Sequence, residues 1–327
     1  NNFIGAGKKM INIALGFDSN FAPYAAAAIK SILQYNQNVN FYLMYDNLKK
    51  SDMVKIEAMI ASEKRGGGKA FWVNMSGKFN NLFTGSWSSS AVYFPLALPS
   101  ICKDERILFL DADTMVTGDL SEFYNQDLTG YYLAGVHDYG MVANINSGEE
   151  IAIDNNKKLF TKEYFNDFLN WDIEEMKKYF NSGMMLMNLK LMREENIEEK
   201  IYASLKEKTF AFPDQDCINY VCHDKVKILE TKYNYMVLHD NTWDNLSDEV
   251  KNSLLKYKQE KEIPLIVHFL KKPWRKPAEE VSFSKTYNQL RKLTPYKNHR
   301  SKQETFQFRW SKKGKYLRIL NKTIFDF

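Results

Sequence analysis

The segment Met10 to Phe17 (MINIALGF) is an apolar run that stops at Asp18-Ser19-Asn20, and beyond it small and apolar residues recur at helical spacing from Ala25 to Leu33. This order predicts a strand, a polar turn and a helix. Val39 to Tyr45 (VNFYLMY) reads as a second strand and Leu48 to Ala61 as a helix, with a third strand at Ala70 to Asn74 after the Gly66-Gly67-Gly68 turn. Ala91 to Leu98 predicts another helical segment. Arg106 to Leu110 (RILFL) predicts a buried strand that runs straight into Asp111-Ala112-Asp113. Gly140 to Asn170 has weaker periodicity and suits an insertion that covers a substrate. Beyond it, Met184 to Leu189 and Leu265 to Phe269 predict strands, and Leu191 to Lys206 and Asp214 to Cys222 predict helices. The alternation predicts an α/β fold with a mostly parallel sheet and helices on both faces. Ligands of such sheets bind beyond the carboxyl ends of the strands. Asp18 and the Asp111/Asp113 pair sit at two of those ends, so one crevice is expected to receive both.

Composition narrows the class. A chain of 327 residues, 44 % of them hydrophobic, has enough apolar surface for one large domain or two of ordinary size. No run of eighteen apolar residues is present, and the N-terminus has none of the three regions of a secretory signal, so an intracellular, cytoplasmic protein is expected. Asn1 to Lys9 reads as a polar, structureless stretch ahead of Met10, the expected natural start. Cys102, Cys217 and Cys222 are too few and too irregular for a disulfide framework, in agreement with a reducing compartment. With His223, the last two still fall short of the four paired ligands of a structural zinc site. The net charge of +5 is unevenly placed: from Lys271 onward sixteen Lys and Arg face four acids, a net +12, which leaves the preceding body at −7.

Two aspartates one residue apart at a strand end can aim oxygens at one cation, because the chain leaves pleated geometry there and its side chains need not alternate. Hard oxygen ligands suit Mg²⁺ or Mn²⁺, and an added imidazole tilts the choice toward Mn²⁺. The competing explanation is a turn or cap carboxylate. His268 ends an apolar strand, where a histidine is often a satisfied core residue, but Lys271, Lys272 and Trp274 follow it. Phe21 is either core or a platform for a base. Gly183 is either a plain turn or a place where a sugar approaches the backbone. Asp214-Gln215-Asp216 after Pro213 also fits a helix start. The stretch LFLDADT is similar as well to the first motif of haloacid-dehalogenase-type phosphatases, but the downstream acidic motif of those enzymes has no counterpart here.

Five segments in order, INIALGFDSNFAPYAAAAIKSIL, RILFLDADTMVTGDLSEFY, FNSGMMLMNLKLMR, FPDQDCIN and VHFLKKPW, resemble family 8 of the retaining glycosyltransferases. That family includes bacterial lipopolysaccharide galactosyl- and glucosyltransferases and glycogenin. The resemblance covers residues 10–276 and implies a single GT-A domain with a nucleotide-binding half and an acceptor-binding half, followed by a basic, aromatic-rich extension over 277–327. It implies transfer of a hexose from a UDP-sugar, with Mn²⁺ (or Mg²⁺), to a saccharide, glycolipid or glycoprotein. By position in the motifs, Gly16, Asp18 and Asn20 belong to the uridine site and Phe21 stacks on the base. Asp111, Asp113 and His268 match the metal ligands, with Ala112 between the acids, and Lys272 matches a lysine on the diphosphate. Asn181, Gly183, Asp214 and Gln215 match positions around the donor sugar. Of these, Gln215, Asp214 and Lys272 carry the expected catalytic roles, and Asp138 resembles a position near the acceptor.

Two departures from the family pattern stand out. Many relatives carry an arginine in a Tyr-x-Arg segment where this chain has Tyr93-Phe94-Pro95, and proline cannot replace that charge. The loop after His268 is short, so either Lys271 or Lys272 can occupy the lysine position. Without the arginine, a non-catalytic UDP-sugar-binding partner subunit is the alternative from a different class. From Tyr287 on, basic residues interleave with aromatics, a pattern that suits an anionic membrane surface or a solvated basic helix better than nucleic acid.

Overall fold

The computed structural model describes residues 10–63, 68–79, 82, 89–153, 157–176, 178–275 and 281–299, and the backbone of 306–311, 314–319 and 322–326. The strands, in chain order, begin with β1 (Ile11–Phe17), β2 (Val39–Tyr45), β3 (Lys69–Asn74), β4 (Arg106–Leu110), β5 (Thr114–Val116), β6 (Leu133–Val136), β7 (Glu150–Ala152), β8 (Lys158–Phe160) and β9 (Met184–Asn188). They are followed by β10 (Val226–Leu229), β11 (Tyr235–Met236) and β12 (Ile266–His268). Seven strands form the central sheet in the order β10-β6-β9-β4-β1-β2-β3. All its neighbours pair in parallel except β9, which runs antiparallel to both β4 and β6.

The apolar runs read from sequence follow from cover on both faces. Ile13, Leu15 and Phe17 of β1, Leu108 and Leu110 of β4, and Met184 and Leu186 of β9 enter one core. Ala14, Ile107 with Phe109, and Met185 with Met187 enter the other. Alternate residues thus serve opposite layers, and no polar face interrupts the pattern. The helix Ala22–Tyr35 packs closely because Ala22, Ala25, Ala26, Ala27 and Ala28 are all buried. Its Ser31 hydroxyl donates to Ala28 O (2.6 Å) and accepts from Val116 N (2.9 Å), which ties the helix to β5.

β9 is the strand that builds the crevice. Because it runs antiparallel, its first residues stand at the same edge as the carboxyl ends of β1, β4 and β6: Leu110 pairs with Met184, and Asp111 N donates to Gly183 O (2.9 Å). A second, three-stranded sheet, β11-β12-β5, lies beyond that edge.

Several expectations change in detail. Residues Ser90–Ala97 form a 3₁₀ helix rather than an α-helix, with Pro95 inside it; proline has no N–H for an i→i−4 bond. Leu191 to Lys206 is two helices, Leu189–Glu194 and Ile197–Glu207, parted at Asn196, which sits in the left-handed region (φ 53°). Gly140 to Asn170 holds the helix Tyr139–Ser147, the β7–β8 hairpin and short turns. The segment 281–299, by sequence part of the extension that begins at 277, lies on the body. Tyr287 is fully buried beside Trp274 and Phe269, and Tyr296 donates to Asp52 Oδ1 (2.9 Å). The backbone of β13 (Phe306–Ser311), β14 (Gly314–Ile319) and β15 (Lys322–Asp326) is an antiparallel three-stranded sheet, not a helix.

Gly135 of β6 gives a test of this packing. A Cβ there would stand 2.8 Å from Cδ2 and 3.1 Å from Cβ of the fully buried Phe180. Gly135→Ala is expected to lower stability by about 1–3 kcal/mol through overpacking, read as a drop in urea midpoint without a change in slope.

Candidate functional site

The loop Asp111-Ala112-Asp113 joins β4 to β5, and β12 pairs antiparallel with β5 so that His268 stands opposite Thr114. Phe269 N donates to Asp113 O (3.0 Å), and Thr114 N and Oγ1 both donate to Asp111 O (3.2 and 2.8 Å). Ala112 is buried in the core, so the two flanking acids project away from it. These ties bring ligand atoms of Asp111, Asp113 and His268 within 4.8 Å of one another. His268 Nε2 lies 3.2 Å from Asp113 Oδ1 and 3.6 Å from Asp111 Oδ2. Lys272 Nζ pairs with Asp113 Oδ2 and donates to Phe269 O (2.7 Å).

Two observations fit a cation to this group. Asp113 Oδ1 is buried and makes no hydrogen bond among the described residues, a costly state for a carboxylate oxygen unless it ligates something. Gly183 faces the group: a Cβ there would overlap the His268 ring and stand 2.8 Å from Asp111 Oδ2. The absence of a side chain therefore keeps the space open.

The two acids differ electrostatically. Burial and then the Asp113 charge push the Asp111 carboxyl up to about 6, although 44 % of its side-chain surface still meets solvent, which tempers the shift. Burial acts on Asp113 in the same direction, but Lys272 and His268 outweigh it and hold that carboxyl well below the usual range. Asp214 is pushed up to about 7, by burial and then by Asp111.

Around the triad runs a buried hydrogen-bonded network. His268 Nδ1 meets Asn181 Oδ1 (3.1 Å), while Asn181 Nδ2 donates to Asp138 Oδ2 and Gln215 Oε1 (both 3.1 Å). Gln215 Nε2 donates to Asp138 Oδ2 (2.9 Å) and Tyr179 OH (3.1 Å), and its Oε1 accepts from Ser182 N (3.0 Å). The Ser182 hydroxyl donates to Asp214 Oδ2 (2.8 Å). Beneath them Asp216 accepts from both Tyr164 and Tyr179 hydroxyls (2.5 Å each) and from Phe212 N (2.8 Å), anchoring the start of the helix Pro213–Cys222.

Of the residues singled out by sequence, Asp111, Asp113, His268, Lys272, Asn181, Gly183, Asp214, Gln215 and Asp138 thus form one cluster. Lys271 does not join it; its ammonium reaches Asp240 (2.8 Å) on the surface, so Lys272 is the lysine at the acids. Asp18 Oδ1 accepts from the N–H groups of Asn20 and Phe21 (2.9 Å each), shaping the turn into the first helix. Phe21 is 40 % exposed and meets Tyr24 edge-on, and Tyr24 stacks on Trp274 (3.8 Å, 12°), so this turn and the Lys272 loop share one aromatic ladder. Gly16 faces Phe94: a Cβ there would stand 3.3 Å from Phe94 Cδ2, and its place is to let the 3₁₀ helix approach β1. Pro95 is buried inside that helix. Sequence reasoning missed Asn234, Tyr164 and Tyr179, whose roles come only from partners far along the chain.

The description "Glycosyl transferase family 8" matches residues 12–278. A putative glycosyltransferase of Haemophilus influenzae is 27 % identical over 231 residues, 69 % of this chain and 63 % of its own length. The lipopolysaccharide 1,2-glucosyltransferase of Escherichia coli K12 is 26 % identical over 323 residues, covering 94 % of this chain and 86 % of that protein. Among solved structures, the apo form of the bifunctional glycosyltransferase WbbM superposes with a TM-score of 0.77 at 23 % identity, over 90 % of this chain and 51 % of that one. The galactosyltransferase LgtC, solved with donor and acceptor sugar analogs, gives 0.68 at 18 % identity, over 87 % and 96 %. Both share the GT-A fold. The chain spans less than two thirds of the H. influenzae relative and about half of WbbM.

Two outcomes test the site. Gly183→Ala is expected to weaken Mn²⁺ binding about tenfold or more, by displacing an imidazole ligand; calorimetric titration measures this, and unchanged affinity would remove His268 from the ligand set. Asp214 ionises in the fold near 7 instead of its ordinary 3.8, so the folded state loses stability as pH rises from about 4 through 7. Asp214→Asn is therefore expected to be more stable than wild type at pH 8 in EDTA, with the gap closing toward pH 4 in urea unfolding.

Proposed function

Because the chain belongs to glycosyltransferase family 8, we propose that it moves a hexose from a UDP-sugar to a saccharide, glycolipid or glycoprotein acceptor with retention at the anomeric carbon. The observation that carries this reading is the unbonded Asp113 Oδ1 beside Asp111 and His268, a place for a divalent cation. Two carboxylates with one imidazole favour Mn²⁺, with Mg²⁺ as the harder alternative. When bound, the ion supplies Lewis-acid stabilisation of the departing UDP.

The chain's own residues then divide the work. Lys272, which here pairs with Asp113, would stand within reach of the diphosphate oxygens and would offer them its positive charge. The exposed ring of Phe21 offers a face to the uracil, and Asp18 an acceptor for its imide N–H. Gly183 leaves room for the sugar, with Asn181, Asp214 and Gln215 around it. The Gln215 amide is saturated by Asn181, Ser182, Asp138 and Tyr179, and an amide is a poor nucleophile. That supports attack by the acceptor on the face the UDP leaves, with a UDP oxygen taking the acceptor proton. Asp138, fixed by two amides, stands at the acceptor side. The names of the E. coli relatives favour a lipopolysaccharide-type acceptor. The charge of the extension over 277–327 then favours a peripheral position on an anionic cytoplasmic membrane face. No helix among the described residues is long and apolar enough to cross a membrane.

The test is UDP release from a panel of UDP-sugars with Mn²⁺ or EDTA. Release from one donor that needs Mn²⁺ and falls by about 10²-fold or more in Asp113→Ala is the expected result. Donor binding without release, even with saccharide acceptors, would indicate a non-catalytic binding subunit, and cleavage of p-nitrophenyl phosphate a phosphatase.

A further inference from the structure

We infer that Asn234, which no motif marks, is a positioning residue for the cation site: its amide N–H holds the Asn181 oxygen in place against the Nδ1–H of His268, and so aims the ring, whose Nε2 offers its lone pair between Asp111 and Asp113. The inference rests on the cation reading above and adds a residue to it.

The argument is one of donors and acceptors. Asn181 Nδ2 faces two oxygens, Asp138 Oδ2 and Gln215 Oε1, both at 3.1 Å. A carboxylate only accepts, and Gln215 Oε1 is itself fixed as an oxygen by the Ser182 backbone N–H at 3.0 Å. The amide of Asn181 therefore has one permitted orientation, with its oxygen toward His268. That oxygen already accepts from Gly183 N (3.1 Å) and from Asn234 Nδ2 (3.0 Å). What His268 Nδ1 presents to it at 3.1 Å must then be an N–H. In the neutral ring Nε2 is left as the acceptor, and it points at the two carboxylates.

Asn234 has no other visible employment. It is fully buried just before β11, and its own Oδ1 makes no hydrogen bond among the described residues. An apolar side chain of the same size would avoid that desolvation cost, so the amide is explained by its one bond, to Asn181. Outer partners that orient a ligating histidine commonly change metal affinity by about 10–100-fold when removed.

The experiment uses the full chain and Mn²⁺ alone. Asn234→Leu, which keeps the volume, and Asn234→Asp, which turns the donor into an acceptor against Asn181, are expected to bind Mn²⁺ about 10–100-fold more weakly in calorimetric titration. Asn36→Leu, which removes another buried amide, bonded among the described residues to Ile32, Gly118 and Leu120, is expected to lose stability with Mn²⁺ affinity intact. In histidine-¹⁵N spectra of the Mg²⁺-saturated protein, the signal lost in His268→Ala is expected to show a protonated Nδ1 in wild type and a displaced Nδ1 resonance in both Asn234 variants, as the Asn181 oxygen loses its hold. Wild-type affinity and an unmoved Nδ1 resonance in those variants would overturn the role of Asn234 and leave the cation site standing. A wild-type chain that binds no Mn²⁺ would overturn the cation reading itself.

Discussion

Two carboxylates held within one ion's width repel each other, and most of the structure around the crevice makes sense as what keeps them there. Asp111 and Asp113 cannot drift apart, because backbone bonds on either side of their loop run to other elements: Asp111 N to Gly183 O on one side, Phe269 N to Asp113 O on the other. The β5–β12 pairing then delivers His268 to the same point. The cost of gathering like charges is spread unequally. Lys272 and His268 sit on Asp113, so that acid stays ionised, and the burden falls on Asp111, the acid more open to solvent. A cation would relieve both at once, and the absence of a side chain at Gly183 leaves space beside them.

The second layer follows from the first. A site of this kind needs its amides immobile, and the burial that achieves this leaves no water to correct a misplaced donor. Asp216 is the foundation: two tyrosine hydroxyls and a backbone N–H satisfy it, and burial still raises it to about 6. Tyr179 carries that order to Gln215, and Gln215 to Asp138 and Asn181. Three elements distant in sequence, the start of β9, the helix Pro213–Cys222 and the residues after β6, are thereby locked in one register.

How much of this was legible in the sequence depended on the range of the interaction that decided it. Five of the seven central strands were legible as apolar runs, while the four-residue β6 and β10 were too short to stand out, and the acids were legible because a strand end exposes side chains in a recognisable order. The helix at 91–98 was legible as an element but not in type, since one proline decides its hydrogen bonds. The break at Asn196 carried no signal beyond a residue type that tolerates the left-handed region. Asn234 lay in TKYNYM, a stretch with no pattern, and acquires meaning only from an oxygen 53 residues earlier in the chain. Lys271 and Lys272 were indistinguishable by spacing; the loop geometry separates them by sending one to Asp240 and the other to Asp113.

That loop also shows how a single ammonium is held at the acids of a site whose other wall carries Pro95 in place of the family arginine. The 3₁₀ helix holding Pro95 is fully committed to packing: Phe94 lies against Gly16, and Tyr93 and Leu96 are buried, so this wall of the crevice offers shape without charge. The opposite wall is differently built. Trp274 is stacked on Tyr24 and packed against Tyr287, which fixes the far end of the Lys272 loop to the first helix and to the segment that follows residue 280. An ammonium on a free loop would be a mobile counter-charge, screened and poorly aimed. On a loop pinned by an aromatic stack two residues away, it stays within reach of Asp113, and so of any anion that replaces Asp113 as its partner. The positive charge at the acids thus rests on one wall, and the aromatic ladder from Phe21 to Tyr287 is what gives it a fixed address.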